Sequence, residues 1–169
     1  MSVIFIIDID GTICDSLGRI TNVADDIESP DLWTDQTMKE FLSEENIMGD
    51  DIIPGSNLVF KLADICHASI IFLTGRNDYA RHATRKWLTE IFRVPPDIPL
   101  IMRPYAEKGD YAAECKEKLF LKHVYSLHPD ATFIFFEDEH DTAERYAKYG
   151  LVLKSPGCWN LLKEVYNDE

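Results

Sequence analysis

Two aspartates one residue apart, Asp8 and Asp10, end the apolar run Val3-Ile-Phe-Ile-Ile and are followed at once by Gly11 and Thr12. In an extended strand residues i and i+2 point to the same side, so both carboxylates leave the strand close together. Like charges that close are unfavourable unless a cation or a proton lies between them. Further on, Thr74-Gly75-Arg76 closes a second apolar run, Arg103 a third and Glu137-Asp138 a fourth. Carboxylate oxygens are the ligands a hard cation prefers, and Mg²⁺ takes one or two of them together with phosphate and water. Lysine and arginine supply the positive charge that a phosphate needs. Residues of these types point to metal-assisted chemistry at phosphorus.

They can act together only if the elements carrying them end at one edge. The first run is apolar on both faces, which predicts a buried, central parallel strand. Ser69-Ile-Ile-Phe-Leu, Leu100-Ile-Met, Thr132-Phe-Ile-Phe-Phe136 and Leu151-Val-Leu153 read as four more strands. Helical patterns lie between them: Ser56 to Cys66, about Asp78 to Phe92, about Tyr111 to Leu127, and Asp141 to Tyr149, the last stopped by Gly150. A short helix follows Pro156-Gly157. The alternation predicts an α/β fold of Rossmann-like type, a five-stranded parallel sheet with helices on both faces. In such sheets ligands bind beyond the carboxyl ends of the strands, where these polar residues fall.

At 169 residues with 46% hydrophobic and 28% charged residues, the chain reads as one domain with a proper core. No apolar run approaches the roughly 18 residues of a membrane span, and no secretory leader is visible, so a cytoplasmic protein is expected. The four cysteines (Cys14, Cys66, Cys115, Cys158) form no C-x-x-C and the five histidines show no metal spacing, which argues against zinc. The net charge of −13 is local in origin: residues 25 to 51 hold ten acids and one base, Lys39. Residues 20–53 read as a small acidic lid or flap, in which Thr34 or Asp35 caps a helix running to about Glu45. Ile13 to Arg19 reads as a loop.

Asp8-Ile-Asp10-Gly11-Thr12, Leu73-Thr74-Gly75-Arg76, a helical lysine and Glu137-Asp138, in that order, resemble the four motifs of the haloacid dehalogenase superfamily of aspartate-nucleophile phosphatases. The resemblance covers the whole chain and implies roles. Asp8 attacks phosphorus to form an aspartyl phosphate. Asp10 protonates the leaving oxygen and later deprotonates water. Thr74 hydrogen-bonds the phosphoryl group and Lys116 neutralises it. Asp138 completes a Mg²⁺ site with Asp8 and the Asp10 carbonyl, with Glu137 nearby. A second carboxyl kept protonated beside the nucleophile would suit acid catalysis.

Within the superfamily the chain is most similar to the 3′-phosphatase domains of phage polynucleotide kinase–phosphatases. Arg19, eleven residues after Asp8, matches a phosphate-contacting arginine there, and Arg76 matches the arginine of an S/T-G-R motif. Thr84-Arg85-Lys86-Trp87 and the segment from Lys116 to His123 match as well, the latter favouring Lys116 over Lys122. The resemblance implies a phosphorylated nucleic-acid end as partner and Gly75, Arg76, Arg19, Arg85 and Arg103 as substrate contacts.

Three features depart from that pattern. The fourth motif is Glu-Asp rather than Asp-Asp, and a family aspartate before the lysine is Ala112 here, with Asp110 or Glu114 as substitutes. The insertion is longer and more acidic. No P-loop is present, so no kinase activity is expected of this chain. Proteins that hold a phosphate backbone present a basic track. Here the bases near the expected mouth are only Arg76, Arg81, Arg85, Lys86, Arg103 and Lys108. The readings are therefore a Mg²⁺-dependent phosphatase of polynucleotide 3′ ends, a phosphatase of free nucleotides or other small phosphoesters, and a non-catalytic nucleotide-binding module.

Overall fold

The parallel sheet is built around its first strand. In a computed structural model describing residues 2–23, 34–105 and 112–167, β1 (Val3–Ile7) is the middle strand. With β2 (Cys14–Asp15) and β3 (Asp51–Ile52) forming a separate antiparallel pair, the large sheet runs β5 (Leu100–Arg103), β4 (Ala68–Asn77), β1, β6 (Thr132–Glu137), β7 (Gly150–Lys154). Every pairing in it is parallel.

Alternation along β1 sorts its side chains between two cores. Phe5 and Ile7 pack with Phe72, Val59, Trp87 and Trp159, under α4 (Leu58–Cys66), α5 (Arg81–Glu90) and α8 (Gly157–Asn167). Ile4 and Ile6 pack with Ile71, Leu73, Leu119, Phe120 and Tyr146, under α6 (Ala112–Phe120) and α7 (His140–Tyr146). Both faces are therefore covered, which is why these strands are apolar throughout. No helix among the described residues is long and apolar enough to cross a membrane.

Four local readings are revised. Residues 13–19 are not a simple loop: they hold β2 and the start of α1 (Leu17–Val23), whose first turn is fixed by Asp15 Oδ1 accepting from the Leu17 amide at 3.0 Å. The single helix expected to Glu45 is two. Thr34 caps α2 (Asp35–Phe41) by accepting from the Thr37 amide at 3.1 Å, and Ser43 restarts the chain as α3 (Glu44–Met48) by accepting from Asn46 at 3.3 Å. The helix after Phe120 continues to Tyr125 as a wider π-turn. Gly150 does not stop a helix, since α7 ends at Tyr146. It opens β7, where a β-carbon would stand 2.2 Å from the Phe133 carbonyl oxygen, so only glycine lets the strands meet. The expectations for Lys108 and Asp110, and for residues 24–33 of the acidic segment, lie outside the described residues.

Candidate active site

The register of the sheet assembles the carboxylates. Ile7 pairs with Phe136 and with Phe72, so the next residues, Asp8 and Glu137, are neighbours and Thr74 lies one step further on β4. The Asp8 amide extends the ladder, donating to the Phe136 carbonyl at 3.0 Å. The chain then turns sharply: the amides of Thr12, Ile13 and Cys14 all converge on the Ile9 carbonyl. Gly11 makes this turn with φ +75, a left-handed conformation that L side chains avoid. A β-carbon there would also stand 2.1 Å from Asp138 Oδ2. The two constraints explain why glycine follows the aspartates.

The turn is tied down from the far edge of the sheet, which the sequence did not reveal. Ser155 Oγ donates within 3.0–3.1 Å of the Thr12 and Gly11 carbonyls, and Trp159 Nε1 donates to the Thr12 carbonyl at 2.7 Å. Thr12 in turn donates its hydroxyl to Asp138 Oδ1 at 3.1 Å. The Trp159 ring stacks on Phe136 with centroids 5.1 Å apart. Ser155 and Trp159 thus hold the loop that carries Asp10 and Gly11. A serine before Pro156 and one more tryptophan carry no local signal of this.

Lys116 reaches the edge from α6. Its Nζ lies 3.2 Å from Asp8 Oδ1 and 3.1 Å from both carboxylate oxygens of Glu137. Its stem passes Gly75, whose absent β-carbon would meet Lys116 Cε at 3.6 Å. Burial opposes the lysine's charge, but Asp8 and Glu137 outweigh it and hold its pKa well above the ordinary value. Burial raises Asp8, with Glu137 adding to the rise, and pushes Glu137 up to about 7. Asp138 is raised too, first by burial. One lysine cannot compensate three carboxylates.

These residues fit a hard divalent cation. Asp8 Oδ1 is buried and accepts no hydrogen bond, and ligand oxygens of Asp8, Glu137 and Asp138 lie within 4.8 Å of one another. The donor set is oxygen only, as Mg²⁺ prefers. A second acid cluster, Asp10, Cys14 and Asp50, is of a different kind. Two guanidiniums fill it.

Arg76 grips Asp10 through two bonds of 2.8 Å, Nε to Oδ2 and Nη2 to Oδ1, and Arg19 Nη2 bonds Asp10 Oδ1 from the other side. Burial alone would raise Asp10, but Arg76 and then Arg19 outweigh it and hold the carboxyl well below the usual carboxylate range. The expectation of an Asp10 kept protonated is therefore corrected: this carboxyl is ionised. Both arginines, expected at the phosphate, are engaged with Asp10. Arg19 and Arg76 are 1% and 3% exposed; Arg76 gives its donors to acids, to Cys14 and to the Thr84 hydroxyl, whereas Arg19 bonds the two acids and keeps its Nη1 buried without a partner among the described residues. Burial pushes the Cys14 thiol far up, so it stays protonated.

Of the remaining residues read from the sequence, Thr74 is buried at the edge, its Oγ1 accepting from the Arg76 amide at 3.2 Å. Arg103 ends β5 in register with Asn77, two strands out from β1. Arg85 is not brought to the site. Its Nη1 donates to the Ile98 carbonyl at 2.8 Å, in the segment entering β5, at the opposite end of that strand. Arg81, four residues earlier, likewise donates to the Leu100 carbonyl. Helical spacing put both on one face, and that face braces the edge strand.

No protein-family model matches the chain, and no curated protein matches it in sequence at a significant level. Solved structures do match. A chain of the Pnkp1/Rnl/Hen1 RNA repair complex superposes with a TM-score of 0.66 at 18% identity over 91% of this chain and 42% of that one. A second structure of the complex gives 0.64, with 46% of that chain covered. The likeness is one of fold. A hydrolase from Pseudomonas syringae aligns end to end, with a TM-score of 0.52 at 13% identity over 99% of this chain and 100% of that one. The α/β architecture is thus a Rossmann-like fold shared with a hydrolase, and this chain spans less than half the length of the repair-complex chains.

Proposed function

We propose that this chain is a Mg²⁺-dependent phosphomonoesterase that works through an aspartyl phosphate on Asp8 and removes the 3′-phosphate from polynucleotide ends. The observation that carries the reading is Lys116 Nζ at 3.2 Å from Asp8 Oδ1, with Asp138 gathered beside them at the Gly11 turn. A carboxylate attacks a phosphate poorly unless positive charge screens the repulsion. Asp8, Asp138 and the Asp10 carbonyl would hold the cation, which lowers the charge on the phosphoryl oxygens.

Asp8 forms the new bond to phosphorus as the bond to the leaving oxygen breaks, and Lys116 stabilises the charge on the phosphoryl group. Asp10 relays a proton to the leaving oxygen. Because the arginines keep Asp10 ionised at neutral pH, that proton enters with the substrate, whose second phosphate pKa is about 6. In the second half-reaction the ionised Asp10 takes a proton from the attacking water. The phosphoryl–Asp8 bond breaks, inorganic phosphate leaves, and Asp10 releases its proton to solvent to regain the ionised state.

A second reading, free nucleotides or other small phosphoesters, is favoured by the cleft. A cavity of about 580 Å³ opens beside Asp10 and Asp138, and Asp15, Ser16, Leu17, Ile53 and Pro54 line it. Among the described residues, neither lysine nor arginine lines it. A polynucleotide brings further phosphates past this wall, whereas a single nucleoside presents an uncharged face.

The test offers purified protein and Mg²⁺ a 3′-phosphorylated oligonucleotide, its 5′-phosphorylated twin and a panel of mononucleotides, beside Asp8→Asn. Release from the 3′ end alone supports the first reading. Release chiefly from mononucleotides supports the second. Equal silence of wild type and Asp8→Asn on all of them refutes the enzyme.

A further inference from the structure

Asp50 lies at the end of the acidic insertion, between α3 and β3, yet its side chain is 1% exposed. Among the described acids between residues 34 and 51 it is the buried one. Its Oδ1 accepts from Arg19 Nε at 2.7 Å. Its Oδ2 accepts from Arg76 Nη2 at 3.2 Å and from the Cys14 thiol at 3.0 Å. The backbone is anchored independently, since Trp87 Nε1 donates to the Asp50 carbonyl at 3.1 Å.

The charges decide what this does. Two buried guanidiniums facing Asp10 alone would leave an uncompensated positive charge in the interior. With Asp50 the cluster is neutral. Geometry adds direction. Each arginine is bonded to Asp10 on one side and to Asp50 on the other, so neither fork can swing away from Asp10 without breaking a buried charged bond. Arg19 is held further by the Phe41 ring of α2, 4.4 Å from its guanidinium carbon.

We propose that Asp50 is a positioning residue: it orients Arg19 and Arg76 and so fixes the carboxylate of Asp10 for proton transfer at the leaving oxygen. This rests on the phosphomonoesterase reading above. Through Asp50 the insertion thereby contributes a buried charge to the site.

A misplaced Asp10 harms esters in proportion to their need for a proton. An alkyl phosphate such as glycerol phosphate or a nucleoside 3′-phosphate must have its leaving oxygen protonated. A nitrophenyl phosphate departs as a stable anion and does not need this. The experiment compares kcat/KM for both classes in wild type, Asp10→Asn and Asp50→Asn.

The expected result is that Asp50→Asn loses about tenfold or more on the alkyl ester, within the range of general acid catalysis. On the nitrophenyl ester it loses several-fold less, and Asp10→Asn shows the same pattern more strongly. Equal losses on both esters would make Asp50 structural only and overturn the proposal. Should Asp50→Asn fail to fold, Arg19→Lys decides, because it keeps the charge but cannot reach both acids. The selective loss supports the proposal, and an equal loss overturns it. A wild type inactive on both esters refutes the phosphomonoesterase reading itself, a separate outcome.

Discussion

Both carboxylate oxygens of Glu137 point at the ammonium of Lys116, at 3.1 Å each. A carboxylate so engaged has little left for a metal, although its position beside Asp8 and Asp138 also allows it to serve one. The geometry favours Glu137 as the partner that places Lys116. Glu137→Gln should therefore lower kcat/KM by about 10–100-fold, the usual effect of removing an orienting partner. Mg²⁺ affinity, measured by calorimetry, should fall less than in Asp138→Asn. A larger loss of Mg²⁺ binding in Glu137→Gln would reassign it as a ligand.

Gly11 meets a conformational and a steric limit at once. Gly11→Ala places a methyl-bearing residue in a left-handed turn, costing roughly 1–2 kcal/mol, and that methyl runs into Asp138. The expected fall in Tm is about 2–8 °C for a chain of this size. Mg²⁺ binding should be lost from protein that still folds. Wild-type affinity in the folded variant would show that Asp138 does not hold the metal.

The acids of the site give the metal-free protein a distinct pH dependence. Burial pushes Glu137 up to about 7 from 4.5 and raises Asp8 and Asp138. A carboxyl raised on folding contributes stability fully below its unfolded pKa and loses it as pH rises through the folded value. Asp10 has the opposite sign: held low by the arginines, it contributes above the ordinary carboxylate range and loses that only in strong acid. In chelator, Tm should therefore be lower at about pH 8 than at about pH 5. A divalent cation needs the acids ionised, so added Mg²⁺ should raise Tm more at the higher pH. An equal Mg²⁺ shift at both would exclude this cluster as the binding site.

Trp159→Phe keeps the ring against Phe136 and removes one N–H from the Thr12 carbonyl. Ser155 still serves that oxygen, so the loss of stability should be about 1 kcal/mol, the low end for a buried acceptor. Turnover should fall by more than stability suggests, because the same bond holds the turn carrying Asp10. Urea unfolding and kcat/KM on one preparation separate the two effects. Full activity in a destabilised variant would show that the turn holds itself.

The fold was legible because its signals are local. Apolar runs bounded by polar residues mark strands, and helical spacing between them requires a parallel sheet whose strand ends share an edge. That alone brought Asp8, Asp10, Thr74, Glu137 and Asp138 to one edge, and the family resemblance added Lys116 from its helix. Whether each group is free or engaged was not legible. That is a property of pairs remote in sequence: Arg76 with Asp10, Arg19 with Asp50, Lys116 with Glu137. Asp50 was one of ten acids in a stretch that read as a small acidic lid or flap. Only tertiary structure, by setting it between two buried guanidiniums, gives its charge a partner and a task.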